Sequence, residues 1–253
     1  MLRCSLLVMV AAGTAYAENP PITVVAHPRI AKTHVPAHDM TATALDAKHP
    51  APPGFADGLK HTLEDVDTLV ASAEFLDALA SVEHADATPN AKTPATGLDI
   101  EAAMFGPDSI MLPVHFLVAP DDNHKGDPAV TGFTTKVATI TLLKNAVPRI
   151  VATDEGSRAC SMNTIVHEFI HTIPVETGSR TFRFMDGKKT AKRALASYVI
   201  GGVAQCTYLA RAHAIALSAS ELAACIQATG TTIFVAHCET GWFESFIKQL
   251  RAH

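Results

Sequence analysis

The sequence predicts an α+β domain in which a small sheet is followed by a mostly helical C-terminal half. Two short runs, 110–119 and 133–143, are rich in Val, Ile, Leu and Thr and have the length of strands. Apolar residues at helical spacing occupy most of the chain after residue 157. The 253 residues suffice for one domain with a sizeable core.

The first 17 residues have the composition of a secretory signal. Arg3 supplies the positive start, residues 6–12 are apolar, and residues 15–17 form a small-x-small cleavage site. The sequence therefore predicts a secreted or periplasmic protein whose mature chain begins at Glu18. No later stretch is long and apolar enough for a bilayer, so we expect no stable membrane insertion.

The charge and the hydrophobic content of the chain exclude two classes of protein. The 20 Lys and Arg against 25 Asp and Glu give a net charge of −5, whereas nucleic-acid binding needs a basic face. The hydrophobic content of 48% excludes a wholly disordered chain. We therefore expect a folded protein that does not bind nucleic acid.

Residues 18–56 form a predicted Pro- and His-rich extended arm ahead of the domain at 57–253. Its prolines forbid a long helix. A dispersed histidine tract can bind metal weakly, but we interpret these as solvated linker histidines. They are His27, His34, His38 and His49.

Within the domain, periodicity and breakers predict the elements in chain order. In the first half we expect one or two amphipathic helices over 57–84, a connection over 86–108 and a polar turn at 121–127. A helix should follow from Ser157 to Ile173, where Pro174 stops it, and then an irregular or hairpin segment at 180–188. The C-terminal part should contain a long helix over 189–217, a helix at 221–229 capped by Ser220, and an amphipathic helix at 241–251. Pro113 suggests that run 110–119 lies at a sheet edge or bulge.

One motif carries the chemistry, His167-Glu168-Phe169-Ile170-His171. Histidines four apart on a helix lie on one face, so both imidazoles can reach one ion at about 2 Å. Glu168 points about 100° away around the axis and can hydrogen-bond a water at the metal. Because an apolar stripe including Met162 lies opposite the histidines, we expect a helix that buries one side and exposes the histidines.

This segment resembles the active-site helix of the zincin metallopeptidases, which bind Zn²⁺ through the HExxH motif. The resemblance implies His167 and His171 as zinc ligands, Glu168 as general base, and a peptide or protein substrate. It also implies an edge strand above the helix that pairs with the substrate backbone, which we place at 133–143.

The third zinc ligand stays open. Pro174 and Thr177 stand where metzincins have a Gly and a third His, and Gly201 stands where a gluzincin-like pattern would have a Glu. Aspzincins use a downstream Asp, and Asp186 can fill that role. Six residues are candidates: Glu176, Asp186, His213, Glu221, His237 and Glu239. A Tyr or His would stabilise the oxyanion, with four candidates: Tyr198, Tyr208, His213 and His237.

Four cysteines remain once Cys4 leaves with the signal, and an exported protein with an even number is expected to form two disulfides. The pairing we favour is Cys160–Cys206 with Cys225–Cys238. No Cys-x-x-Cys pair supports a four-cysteine zinc site.

Two functional hypotheses follow. The first is a secreted zinc peptidase, acting on proteins or on cell-wall peptides. The second is a non-catalytic secreted protein that keeps the zincin-like helix, lacks a complete ligand set, and binds a partner or holds a metal. Gly201 motivates the second hypothesis, and replacing Glu168 by Gln distinguishes the two.

Overall fold

The structure of the protein is a computed structural model. It describes residues 51–83, 85, 95–106, 114–118, 129–133, 138–143, 146–176, 181–186, 195–230 and 237–252. The signal segment, most of the arm with its four histidines, and the polar turn at 121–127 lie outside the described residues, so they stay predictions.

Two helices confirm the amphipathic pattern predicted over 57–84. They are α1 (Phe55–Val70) and α2 (Ala73–Ala80). The Ser72 side chain caps α2 by accepting a hydrogen bond from the backbone N–H of Phe75 at 3.2 Å. Helix α1 begins two residues earlier than the periodicity indicates, because Phe55 is fully buried in the core.

The connection predicted over 86–108 contains a helix, α3 (Gly97–Phe105), so that prediction was wrong. Thr96 and Asp99 form a capping box in which each side chain bonds the other residue's backbone N–H. This Thr-x-x-Asp pattern starts the helix despite the Pro and Gly residues around it.

Among the described residues, three strands form a sheet in the order β1-β3-β2. Strand β1 (Val114–Val118) runs parallel to β3 (Ala138–Leu142), and β2 (Ala129–Phe133) is antiparallel to β3. Both β1 and β3 alternate between buried and half-buried residues, as expected for strands with one face on the core. The edge position predicted for run 110–119 is confirmed by β1, while Pro113 itself lies outside the described residues.

The strand predicted at 133–143 was only partly correct. The described strand is shorter, and β2 precedes it as a separate strand. Strand β3 lies in the middle with both edges paired, so it cannot accept another chain. The strand that contacts the motif helix is β2.

After the short helix α4 (Val147–Val151) comes the motif helix, α5 (Glu155–Ile170). The Asp154 side chain caps it by accepting from the Ser157 backbone N–H at 2.9 Å. The helix ends three residues before the predicted Ile173, and His171 is its C-cap. The cause is that the chain after His171 turns back and pairs with itself, as described below.

Helices α6 (Ala196–Ala212), α7 (Ala219–Gly230) and α8 (Trp242–Leu250) form the C-terminal half, as predicted. The long helix is shorter than 189–217. The cap of α7 is Ser218 and not Ser220: its hydroxyl accepts from the Glu221 backbone N–H, and Glu221 accepts from the Ser218 N–H. None of the described helices is long and apolar enough to cross a membrane.

Two disulfides are present, but the favoured pairing was wrong. The bonds join Cys160 to Cys238 and Cys206 to Cys225. Cys206 on α6 faces α7, which packs beside it, and Cys160 on α5 meets the segment between α7 and α8. Two disulfides fit a secreted or extracellular protein, because such bonds persist in oxidising compartments.

Candidate metal centre

Three side chains converge at the C-terminal end of α5. The Nε2 atom of His167 lies 3.1 Å from Oδ2 of Asp186, and Nε2 of His171 lies 3.3 Å from the same oxygen. The two Nε2 atoms are 3.3 Å apart. Among the residues that the structure describes, this is the one group of three or more His, Cys, Asp or Glu side chains that can hold a metal ion.

The dimensions of this triangle fit zinc. An ion about 2.0–2.1 Å from nitrogen and oxygen ligands, at tetrahedral angles, holds those ligands about 3.3–3.4 Å apart. The three sides measured here are 3.1, 3.3 and 3.3 Å. Two imidazoles and one carboxylate also form a donor set that zinc accepts, with one position left for water or substrate.

Asp186 reaches the histidines because the chain folds back after α5. Antiparallel contacts join the two sides: the Arg183 N–H donates to the carbonyl of Ile173, and the Val175 N–H donates to that of Thr181, each at 2.9 Å. Pro174 faces Phe182 across this bridge. Residues 180–188 were expected to be irregular or a hairpin, and the described part, 181–186, is irregular apart from this bridge to 173–175. The pairing delivers Asp186 to the end of the helix.

The orientation of His171 is set by its other ring nitrogen. Nδ1 lies 3.0 Å from the carbonyl oxygen of Phe184. A carbonyl only accepts, so Nδ1 carries a proton. In the protonated ring Nε2 donates to Asp186, and in the neutral ring Nε2 has the lone pair that would bind a metal ion. This is the arrangement typical of a metal-binding histidine, whose second nitrogen donates to a carbonyl or carboxylate.

The electrostatics of the triangle favour a cation. Burial opposes protonation of His171, but the hydrogen bond and charge of Asp186, aided by Glu168 and the Phe184 carbonyl, raise the pKa of His171 to about 9. Burial acts to raise the pKa of Asp186, yet hydrogen bonds and charge from both histidines hold it well below its usual range. The ionised carboxylate therefore draws positive charge, either a proton or a metal ion, to this position.

Glu168 adjoins the triangle without being part of it. One carboxylate oxygen, Oε1, lies 3.9 Å from Nε2 of His167. The other, Oε2, accepts a 2.6 Å hydrogen bond from the hydroxyl of Thr131 on β2. The same hydroxyl lies 3.2 Å from the Glu168 carbonyl oxygen, so it marks where β2 meets the helix.

Helix α6 contributes two further residues. The Ser197 hydroxyl donates to Oδ1 of Asp186 at 2.5 Å. The ring of Tyr198 meets that of His167 edge to face, with centroids 4.6 Å apart. Neither Ser197 nor Thr131 was singled out by the sequence, because a lone hydroxyl residue carries no spacing signal.

The expectation of an open histidine face on α5 was wrong. The apolar stripe is buried as predicted, but His167 is 1% exposed and Glu168 is 3% exposed. Neighbouring helices and β2 surround α5, so even its polar face is covered. Solvent reaches the site past the side chains of His171 and Asp186, which are 12% and 30% exposed.

His213 is not a ligand, because it lies at the opposite end of α5. Its Nε2 is 2.6 Å from Glu155 and its Nδ1 is 3.1 Å from Glu244. Glu155 begins α5, twelve residues before His167, which is about 18 Å along the helix axis. His213 therefore joins α5, α6 and α8.

The other candidates for the third ligand are also placed elsewhere. Glu221 bonds Arg251 at 2.5 Å. His237 stacks on Trp242 with ring centroids 4.2 Å apart, and burial lowers its pKa. Two candidates are exposed and belong to no metal-binding group of described residues, namely Glu176 and Glu239.

Of the four oxyanion candidates, Tyr198 alone adjoins the triangle among the described residues. Tyr208 lies ten residues further along α6, where the charges of Arg158 and Asp65 act on it. His213 and His237 make the distant contacts given above.

Gly201 has a packing explanation. A Cβ atom at this position would lie 2.4 Å from the side-chain oxygen of Asn163 and 3.0 Å from its backbone oxygen. Asn163 is one turn before His167, so Gly201 lets α6 approach α5 closely. The glycine therefore has a packing role where α6 contacts α5.

A separate cavity of about 460 Å³ lies between α2, the C-terminal end of α6 and the start of α7. Ala78, Leu217 and Leu222 contribute to its apolar wall. Thr207, on the α6 side of this cavity, is ten residues from Ser197, so the cavity is remote from the triangle.

Compared with protein-family models, with curated proteins and with solved structures, the chain matches none.

Proposed function

We propose that this protein is a secreted zinc-dependent metallopeptidase with a zincin-like arrangement of its site. The observation that carries the proposal is the triangle of His167, His171 and Asp186, whose sides of 3.1–3.3 Å are close to the ligand spacing of a tetrahedral zinc ion. The carboxylate of Glu168 beside it supplies the group that a hydrolase needs as general base.

The chain's own residues have distinct roles in this proposal. His167, His171 and Asp186 hold the ion, which, when bound, polarises the scissile carbonyl and acidifies water. Glu168 receives the proton of the attacking water at Oε1 and passes it to the leaving amine, since Oε2 is already bonded to Thr131. Tyr198, whose ring contacts that of His167, is the residue proposed to donate to the oxygen on which negative charge develops.

The substrate in this proposal is an extended peptide that pairs with β2. Strand β2 bonds β3 along one edge, and its other edge has no partner among the described strands. Thr131 of β2 touches Glu168, so a peptide added at that edge would lie close to the general base. This replaces the expectation that 133–143 receives the substrate.

A non-catalytic metal-binding protein is the second candidate. The burial of Glu168, at 3% exposure, favours it, because a general base must reach a water beside the substrate. Under this hypothesis the triangle holds a structural ion that joins α5 to 181–186.

The experiment is elemental analysis of the mature chain, secreted with its disulfides, beside His167→Ala and Glu168→Gln. We expect about one zinc per chain in the wild type and in Glu168→Gln, and loss of zinc in His167→Ala. A peptide-cleavage screen that includes cell-wall peptides then tests activity. Glu168→Gln should lower turnover by about 10²–10⁴-fold.

The outcomes separate the candidates. A wild-type chain that is folded and binds no offered zinc contradicts both of them. Zinc bound by both proteins, with no difference between them on any peptide, supports the non-catalytic candidate.

A further inference from the structure

Two carboxylates lie beside His167, and each has one oxygen held by a hydroxyl from a different element. Ser197 of α6 donates to Oδ1 of Asp186, and Thr131 of β2 donates to Oε2 of Glu168. In each carboxylate the other oxygen faces the histidines: Oδ2 of Asp186 at 3.1 Å and Oε1 of Glu168 at 3.9 Å from Nε2 of His167.

We propose that Ser197 is a positioning residue that orients Asp186 as a metal ligand through one oxygen. This inference rests on the metal site of the proposed function. By occupying Oδ1, the hydroxyl leaves Oδ2 alone to face the two imidazoles, so the third ligand is in place before the ion arrives. Preorganisation of this kind raises affinity, because no side-chain freedom is lost on binding.

The position of Ser197 strengthens the argument. It lies in the first turn of α6 and is 1% exposed, so water cannot replace its hydroxyl. Helix α6 has no side-chain cap at Leu195 and no acidic residue in its first turn. The carboxylate of Asp186 therefore lies at the N-terminal end of α6, where the Ser197 hydroxyl holds it.

Asp186 needs this support more than the histidines do. His167 is enclosed by α5's neighbours, and His171 is held by the Phe184 carbonyl. Asp186 lies outside the helices and strands and is the most exposed of the three ligands, at 30%. Among the described residues, the carboxylate of Asp186 is hydrogen-bonded by Ser197, His167 and His171.

The test measures zinc affinity by competition with a chromophoric chelator in the full secreted chain. We expect Ser197→Ala to raise the dissociation constant for zinc about 10–100-fold, the usual effect of removing a residue that orients a metal ligand. The d–d spectrum of the Co²⁺-loaded protein should also change, since the carboxylate of Asp186 becomes free to rotate.

Two matched variants serve as controls. Thr131→Val removes the hydroxyl that bonds Glu168, and we expect zinc affinity to stay within about twofold of the wild type. Ser161→Ala removes the hydroxyl of a residue that is 2% exposed, and this hydroxyl donates to the Ser157 carbonyl within α5. This variant shows whether the loss of any buried hydroxyl changes the zinc affinity.

The outcomes distinguish this inference from the proposed function. If Asp186→Ala abolishes zinc binding while Ser197→Ala keeps wild-type affinity and Co²⁺ spectrum, the positioning role is overturned and the metal site stands. If the wild type binds no zinc, both are overturned. Should Ser197→Ala fail to fold, Ser197→Cys keeps the volume with a weaker donor, and unchanged affinity in that variant counts against the inference.

Discussion

At the scale of single residues, His171 illustrates how one side chain joins two parts of the site. Its Nδ1 donates to the Phe184 carbonyl, two residues before Asp186, and its Nε2 faces the Asp186 carboxylate. The hydrogen bond therefore fixes the tautomer of the ring and at the same time anchors the segment that carries the third ligand. His171 can act this way because it is the C-cap of α5, at the point where the chain turns back.

Gly201 gives the prediction at this scale. Gly201→Ala should lower the free energy of unfolding by about 1–3 kcal/mol, because the added methyl overlaps Asn163 in a packed interface. Denaturant unfolding measures the change. In an Asn163→Ala background the penalty should shrink, since the nearest overlapping atom is then absent. An alanine that is neutral in the wild-type background would contradict the packing role of the glycine.

At the scale of elements, α5 is the helix on which the molecule is organised. It packs on α6 along its length, meets β2 through Thr131, and is bonded near its middle to Cys238. Buried amides support this arrangement: Asn163 donates to Gln205 at 2.8 Å, and Gln205 donates to the carbonyl of His237 at 3.1 Å. The motif therefore lies on a helix that is held in place by contacts on several sides.

The two disulfides should differ in what they contribute to stability. The bond Cys160–Cys238 closes 78 residues and Cys206–Cys225 closes 19. Chain entropy alone assigns them about 4.5 and about 3.2 kcal/mol. We expect the double variant Cys160→Ala/Cys238→Ala to unfold at a lower denaturant concentration than Cys206→Ala/Cys225→Ala. Peptide mapping of the oxidised wild type should recover the bonds Cys160–Cys238 and Cys206–Cys225. The reverse order of stability would contradict this account.

Glu221 provides a prediction with a pH dependence. Hydrogen bonds from Arg251 and from the Ser218 N–H lower the pKa of Glu221 to about 2, from an ordinary value near 4.5. A depressed carboxyl pKa contributes stability that is present above the unfolded pKa and is lost as the pH falls towards the folded pKa. Glu221→Gln should therefore have a lower urea midpoint than the wild type at pH 6, and the gap should close between pH 4.5 and 2. A gap that is unchanged at pH 2 would contradict it.

At the scale of the whole molecule, the ligand triangle joins the helix α5 to the segment 181–186. His167 and His171 belong to the central helix, whereas Asp186 is carried by a short paired segment and is bonded to the start of α6. An ion bound here would cross-link two regions of the native state, the helix α5 and the segment 181–186. Such a link does not exist in the unfolded chain, so binding and folding are coupled.

Metal removal tests this coupling. Zinc at a thousand times its dissociation constant should stabilise the wild type by about 4 kcal/mol and raise its melting temperature. A chelator should reverse the rise. Asp186→Ala should melt at the same temperature with zinc or chelator, whereas Glu168→Gln should respond as the wild type does. If zinc raised the melting temperature of Asp186→Ala as much as that of the wild type, the ion would have to bind at another site.

Local patterns could be interpreted directly from the sequence. The helices α1, α2 and α5 and the pair of histidines on one face follow from residue spacing, because helical periodicity depends only on near neighbours. The strand β3 was predicted as an apolar run, whereas β2 was not predicted beyond Phe133, because apolar and polar residues alternate too weakly over 129–133.

What the sequence determined by itself was therefore the motif His167-Glu168-x-x-His171, its helix, and the need for one further ligand. Only the tertiary structure selected Asp186 from six candidates, paired Cys160 with Cys238, and brought β2 to Glu168. The physical reason is the same in each case. These contacts join residues from 15 to 78 positions apart, and which of them meet depends on how the chain folds back and how the helices pack.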